Sequence, residues 1–135
     1  MKKLILLLLL AGMSGGALAE WVTVIKEDSV TTYANPATLR KQGRKVRMWD
    51  MHDYGNSQSL IGDRYQSMLL LAEYDCEEAR YRSLHLSVHI KNMGNGNLLY
   101  ATEADDFWRP TPPGSVAEAL LNFACHKSDG LYLNY

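Results

Sequence analysis

The sequence predicts an α+β fold: an antiparallel sheet of about six strands, one C-terminal helix packed on it, and one disulfide. Three observations carry this. Between residues 21 and 102, short segments rich in Val, Thr, Ile and aromatics recur between turn residues, some with the two-residue alternation of a half-buried strand. Beyond Pro110, Pro112 and Pro113 the apolar spacing changes to three and four residues, which is helical. The chain also carries two cysteines, Cys76 and Cys125, and its leader directs it to an oxidising compartment.

The leader is residues 1–19. Lys2 and Lys3 precede an unbroken apolar run from Leu4 to Leu10, and Ala17-Leu18-Ala19 closes it before Glu20. These are the three parts of a secretory signal peptide. A membrane helix is the competing reading, but it needs about twenty apolar residues, and nothing later in the chain resembles a span. The expected mature domain is residues 20–135. Losing Lys2 and Lys3 changes the net charge from −1 to −3, which offers no electrostatic case for nucleic acid or anionic lipid. After export, two cysteines in a short chain are most simply one disulfide. By loop-closure entropy it would destabilise the unfolded chain by about 4 kcal/mol. A redox or metal pair fits less well, because neither cysteine has a Cys-x-x-Cys partner.

Taken in order, residues 21–26 and 29–33 read as two strands around the turn at Glu27-Asp28, and Asn35-Pro36 as the start of a short helical turn. Residues 45–54 alternate: Val46, Met48 and Asp50 point one way, Arg47, Trp49, Met51 and Asp53 the other, with neither face cleanly polar. Residues 55–59 and Gly62-Asp63 are loop material. Residues 65–76 form a strand with Met68, Leu70, Ala72 and Tyr74 on one side. The clearest alternation follows, with Leu84, Leu86, Val88 and Ile90 opposed to His85, Ser87 and His89. Asn95-Gly96 signals a hairpin, and residues 97–102 return as its partner strand. Ser115 and Glu118 form a capping box at the helix start. Val116, Ala119, Leu120, Phe123 and Ala124 make the apolar stripe, and Cys125 falls in the last turn.

Several segments together carry a family resemblance: Tyr65-Gln66-Ser67-Met68, Glu73-Tyr74-Asp75-Cys76, Arg80-Tyr81-Arg82-Ser83-Leu84, Met93-Gly94-Asn95-Gly96, and Trp108-Arg109-Pro110-Thr111-Pro112-Pro113-Gly114-Ser115, ending at Ala124-Cys125. Thr32-Tyr33 and Val46-x-x-Trp49 fit upstream. In order and spacing these resemble bacterial surface-adhesin protein E-like domains over nearly the whole mature chain. The resemblance implies a small antiparallel sheet with a packed C-terminal helix and a disulfide, on exported proteins of Gram-negative bacteria. It also implies binding to host matrix or serum proteins. The family's namesake is lipid-anchored, whereas this leader has no cysteine, so no lipid anchor is expected through it. Periplasm and cell surface both remain open, as does oligomeric state, a dimer included.

Arg40, Lys41, Arg44, Lys45 and Arg47 place five positive charges within eight residues around Gly43. Exposed, they would meet sulfated glycans or acidic protein surfaces; the blander reading is a solvated turn that protects a sheet edge. His85 and His89 share a strand face but stand roughly 13 Å apart at strand rise, too far for one metal ion. His52 and His126 add no ligand set. Glu103, Asp105 and Asp106 lack the alternate oxygens of a calcium loop and read as solvated charge. Trp49 and Trp108 are expected in the core. No G-x-S-x-G elbow or phosphate-cradling glycine loop is present. The expectation is a non-enzymatic binding module without cofactor or metal; a periplasmic accessory protein comes second, and a small hydrolase or metal-binding protein third.

Overall fold

The computed structural model describes residues 20–130; the leader, residues 1–19, lies outside the described residues. Strands β1 (Val22–Lys26), β2 (Val30–Gln42), β3 (Lys45–Leu60), β4 (Asp63–Asp75), β5 (Arg80–His89) and β6 (Leu98–Glu103) are followed by a two-residue β7 (Arg109–Pro110) and by helix α1 (Val116–Gly130). Neighbours in sequence are neighbours in space, in the order β1 to β6, all antiparallel; β7 pairs with β5 through Tyr81↔Arg109 and Arg80↔Pro110. The six expected strands, the helix and the disulfide are all present, and β7 is an addition at the segment where the prolines argue against any strand.

The strands are longer than their sequence signals because irregularities lie inside them. Asn35-Pro36 starts no helical turn. It lies in β2, in a bulge between Asn35↔Trp49 and Arg40↔Arg47. The Asn35 side chain accepts the Ala37 amide at 3.1 Å, and Thr38 accepts the Trp49 amide at 3.0 Å, so a turn is stitched into the sheet. Residues 55–59 are likewise strand, carried past a second irregularity between Asp53↔Ser67 and Gln58↔Tyr65. The β3–β4 connection is the two-residue turn Ile61-Gly62, with φ of 49° and 82°, the conformation that matches hairpin twist. A third shift, at Leu71/Ala72 on β4, leaves Leu84 extra on β5 and breaks the expected alternation there: Leu84 joins Trp49 and His85, while Leu86 and Val88 keep the other face. Asn95-Gly96 is not a two-residue turn but part of a longer loop with a 3-10 turn at Asn92–Gly94.

Alternation then defines two faces. On the inner face Ala34, Leu39, Val46, Met48, Ala72 and Tyr74 pack against Leu120, Leu121 and Ala124 of α1, with Val116 and Phe123 beside them. This assigns the buried side of β3 that the sequence leaves undecided. The helix starts as its capping box predicts: Ser115 Oγ accepts the Glu118 amide at 3.1 Å, while Glu118 reaches back to the Gly114 amide at 3.2 Å. Cys125 joins Cys76 just past the end of β4, Cα atoms 5.8 Å apart and 49 residues apart in sequence. The latch fixes the helix to the sheet at its C-terminal half.

On the outer face, the β5–β6 loop folds back over one end. Ser67 Oγ donates to the Lys91 carbonyl at 2.5 Å and accepts the Gly94 amide at 2.9 Å. Asp53 accepts the Met93 amide at 2.8 Å and the Asn92 side chain at 3.0 Å. Gly94 takes the left-handed conformation, φ 71°, that favours glycine, and a Cβ there would press on the Leu69 side chain at 3.0 Å. Met51 and Ser67 are fully buried under this end.

Candidate functional site

The rest of the outer face is built by register. Arg40, Arg47, Glu73 and Arg82 stand on one rung across β2 to β5, and Lys45, Asp75 and Arg80 on the next across β3 to β5. Acids therefore occupy the central strand and cations flank them, the favourable cross-strand arrangement. Arg47 Nε donates to Glu73 Oε2 at 2.9 Å and Arg82 Nε to Oε1 at 2.9 Å, while Arg80 Nε donates to Asp75 Oδ2 at 3.1 Å. Burial works against ionisation of Glu73, yet the hydrogen bonds and charges of Arg47 and Arg82 hold its carboxyl below the ordinary glutamate value. Burial also opposes ionisation of Asp75, and it is outweighed by the Glu78 amide, Arg80 and Lys45. The acid side chains are only 5% exposed, against 49% for Arg47 and 40% for Arg80. Four cations over two sunken carboxylates, with Arg40 at the end of the rung and its guanidinium on the Ala37 and Leu39 carbonyls, leave a positive surplus on this face.

Trp108 lies on this ladder. Its ring is 4.4 Å from Arg80 Cζ, 4.6 Å from Arg82 Cζ and 5.6 Å from Lys45 Nζ. It is half-buried among cations and not in the core, because Arg80 and Arg82 project from the face opposite α1 and stack on its ring. Trp49 is also half-buried outside the core. It packs edge-on to His85, ring centroids 5.9 Å apart, in an open groove of about 630 Å³ between Arg47 on one side and Glu103 and Asp106 on the other.

The linear basic cluster is thus divided by the alternation of its strands. Arg40, Lys45 and Arg47 share the outer face. Lys41 forms an ion pair with Asp129 of α1 at 3.2 Å, and Arg44 pairs with Glu77 beside the hairpin turn. Sequence reading passes over Arg80, Arg82, Glu73 and Asp75. The signal that could have found them is the two-residue spacing of like charges on three strands, 45/47, 73/75 and 80/82. The four histidines are dispersed: His52 is on the inner face beside Thr32, His85 on Trp49, His89 3.0 Å from Ser87 Oγ, and His126 on the Asn122 carbonyl. Among the described residues no group of three or more His, Cys, Asp or Glu converges on a metal-sized point. Among them, too, no helix is long and apolar enough to cross a membrane.

A six-strand meander, a latched helix and a broad charged and aromatic face define a small disulfide-tied domain whose most elaborated surface is an open one. Residues 21–126 match the surface-adhesin protein E family, and the chain belongs to that family. Its fold is that of Haemophilus influenzae protein E. Crystal form II of that protein is 8% identical, with 81% of this chain and 89% of that chain covered at a TM-score of 0.67. A second structure of it gives 8%, 81%, 86% and 0.65. At this identity the likeness carries the fold alone. No curated protein matches the chain in sequence. Family membership makes this an adhesin-like surface protein and points to binding in place of catalysis.

Proposed function

We propose that this chain is an exported, non-enzymatic binding module that holds an anionic partner, a sulfated glycan or an acidic stretch of a host matrix or serum protein, on its outer sheet face. The observation that carries this reading is the cation ladder around Trp108, where Arg47, Arg80 and Arg82, with Lys45 beside them, outnumber the two carboxylates that hold them from below. Membership of a surface-adhesin family supports the adhesive role. Arg40, Lys45 and Arg47 then act with Arg80 and Arg82, while Lys41 and Arg44 lie beside this surface.

Retention on immobilised heparin and on an acidic peptide, followed against salt, tests this directly. The joint variant Arg40→Ser, Lys45→Ser and Arg47→Ser is expected to elute at clearly lower salt than the wild type, and Lys41→Ser with Arg44→Ser to change little. Equal elution of all three proteins at low salt would remove the reading. Fractionating the producing cell separates it from the periplasmic accessory alternative, since material confined to the periplasm cannot meet a host surface.

A further inference from the structure

A second concave site lies on the inner face, beneath the start of α1, and owes nothing to the adhesive reading. Asp50 and His52 of β3, Tyr74 of β4, Tyr81 of β5 and Val116 and Leu120 of α1 line a cavity of about 190 Å³. An engineered apolar cavity of about 150 Å³ already admits benzene, so a molecule of six or seven heavy atoms has room here. His52, Tyr81 and Val116 are only partly buried, which opens the cavity to solvent.

The chemistry of the lining is one-sided. Asp50 is 2% exposed; its Oδ2 accepts the Tyr74 hydroxyl, and its Oδ1 has no partner among the described residues. An unsatisfied buried acceptor costs free energy, and folded proteins leave few of them. Among the described residues no lysine or arginine lines the cavity. Burial holds the His52 imidazole below its ordinary value, so it adds no positive charge at neutral pH, and its Nδ1 lies 3.1 Å from Thr32 Oγ1. The Tyr74 and Tyr81 rings stack with centroids 6.3 Å apart, and aromatic faces attract cations. A neutral alcohol would satisfy Oδ1 with one hydrogen bond, whereas an ammonium group also stabilises the ionised form of Asp50, which burial otherwise disfavours.

We infer that this cavity is a binding site for a small organic ammonium ion, with one N–H directed at Asp50 Oδ1 and a short aliphatic body against Val116 and Leu120. The test uses n-butylammonium, n-butanol and butyrate at matched ionic strength on the oxidised domain, read by the NMR methyl shifts of Val116, Leu120 and Leu70. Saturable shifts with butylammonium are expected, with butanol at least tenfold weaker and butyrate inert. Asp50→Asn should weaken butylammonium roughly tenfold to a hundredfold, the range for a charged hydrogen bond, leave butanol unchanged and still give a cooperative circular-dichroism melt. Butanol binding as tightly as butylammonium would reduce the site to an apolar hole, and no saturable shift would reduce it to a water pocket; either overturns the proposal. If Asp50→Asn does not fold, the ligand series on the wild type decides alone. Heparin retention of the same samples reports separately on the outer face.

Discussion

The two faces of this sheet are made by the same strands and held by different physics. On the inner face, alternate residues of β3 and β4 bury Val46, Met48, Ala72 and Tyr74 under α1, and stabilisation scales with apolar area removed from water. On the outer face, the intervening residues form a charge ladder whose individual ion pairs are half exposed and screened. The contrast shows how the chain separates its tasks. Cohesion is concentrated on one side and closed with a covalent latch, which leaves the other side free to be charged, aromatic and open. Changes inside should therefore act on stability, and changes outside on binding.

The largest expected effect is loss of the latch. Replacing Cys76 and Cys125 together by Ser should destabilise the domain by about 4 kcal/mol, the entropic cost of freeing a loop of this length, read as a lower urea midpoint; an unchanged midpoint would mean that α1 is held by packing alone. Leu120→Ala, at the centre of the inner face and 5% exposed, should cost about 3 kcal/mol in the same measurement.

The third contrast is in pH. Burial raises the Asp50 carboxyl well above its ordinary value of 3.8. The stability it contributes is then complete below that value and is lost as pH rises through the folded one, by up to about 1.4 kcal/mol per pH unit. Asp50→Asn should abolish that decline. Glu73, held low, behaves oppositely: its contribution is present above 4.5 and is lost as pH falls through its folded value. Glu73→Gln should thus cost about 1 kcal/mol at pH 7, discounted for the exposure of its arginines, with the deficit vanishing in acid. Should Glu73→Gln prove costlier than Leu120→Ala, the division of labour between the faces fails.

Much of the architecture is legible in local pattern. The alternation of Val46/Met48 with Arg47/Trp49, though not which side is buried, the Ser115/Glu118 box and the cysteine pair each reflect forces acting over a few residues or on the chain as a whole. What was illegible is where strands tolerate irregularity. Asn35-Pro36 carries real turn chemistry, and the structure uses it inside a strand, because β3 supplies hydrogen bonds on both sides of the bulge. Residues 55–59 look like loop because they are largely exposed strand. The apolar bulk of Trp108 predicts a place in the core, although its surroundings are set by Arg80 and Arg82, more than twenty residues upstream. The basic cluster runs along the chain, whereas the surface it helps to form runs across the strands.

The strand order also bears on how the molecule comes together. Every strand from β2 to β6 pairs with its immediate predecessor, so the meander can zip up progressively through short-range contacts that form early and fast. Helix α1 alone must return across the sheet to meet β2, β3 and β4, and Cys125 travels with it. Bond formation with Cys76 therefore falls at the end of assembly, and the oxidised chain bears a chemical record that its last element has docked.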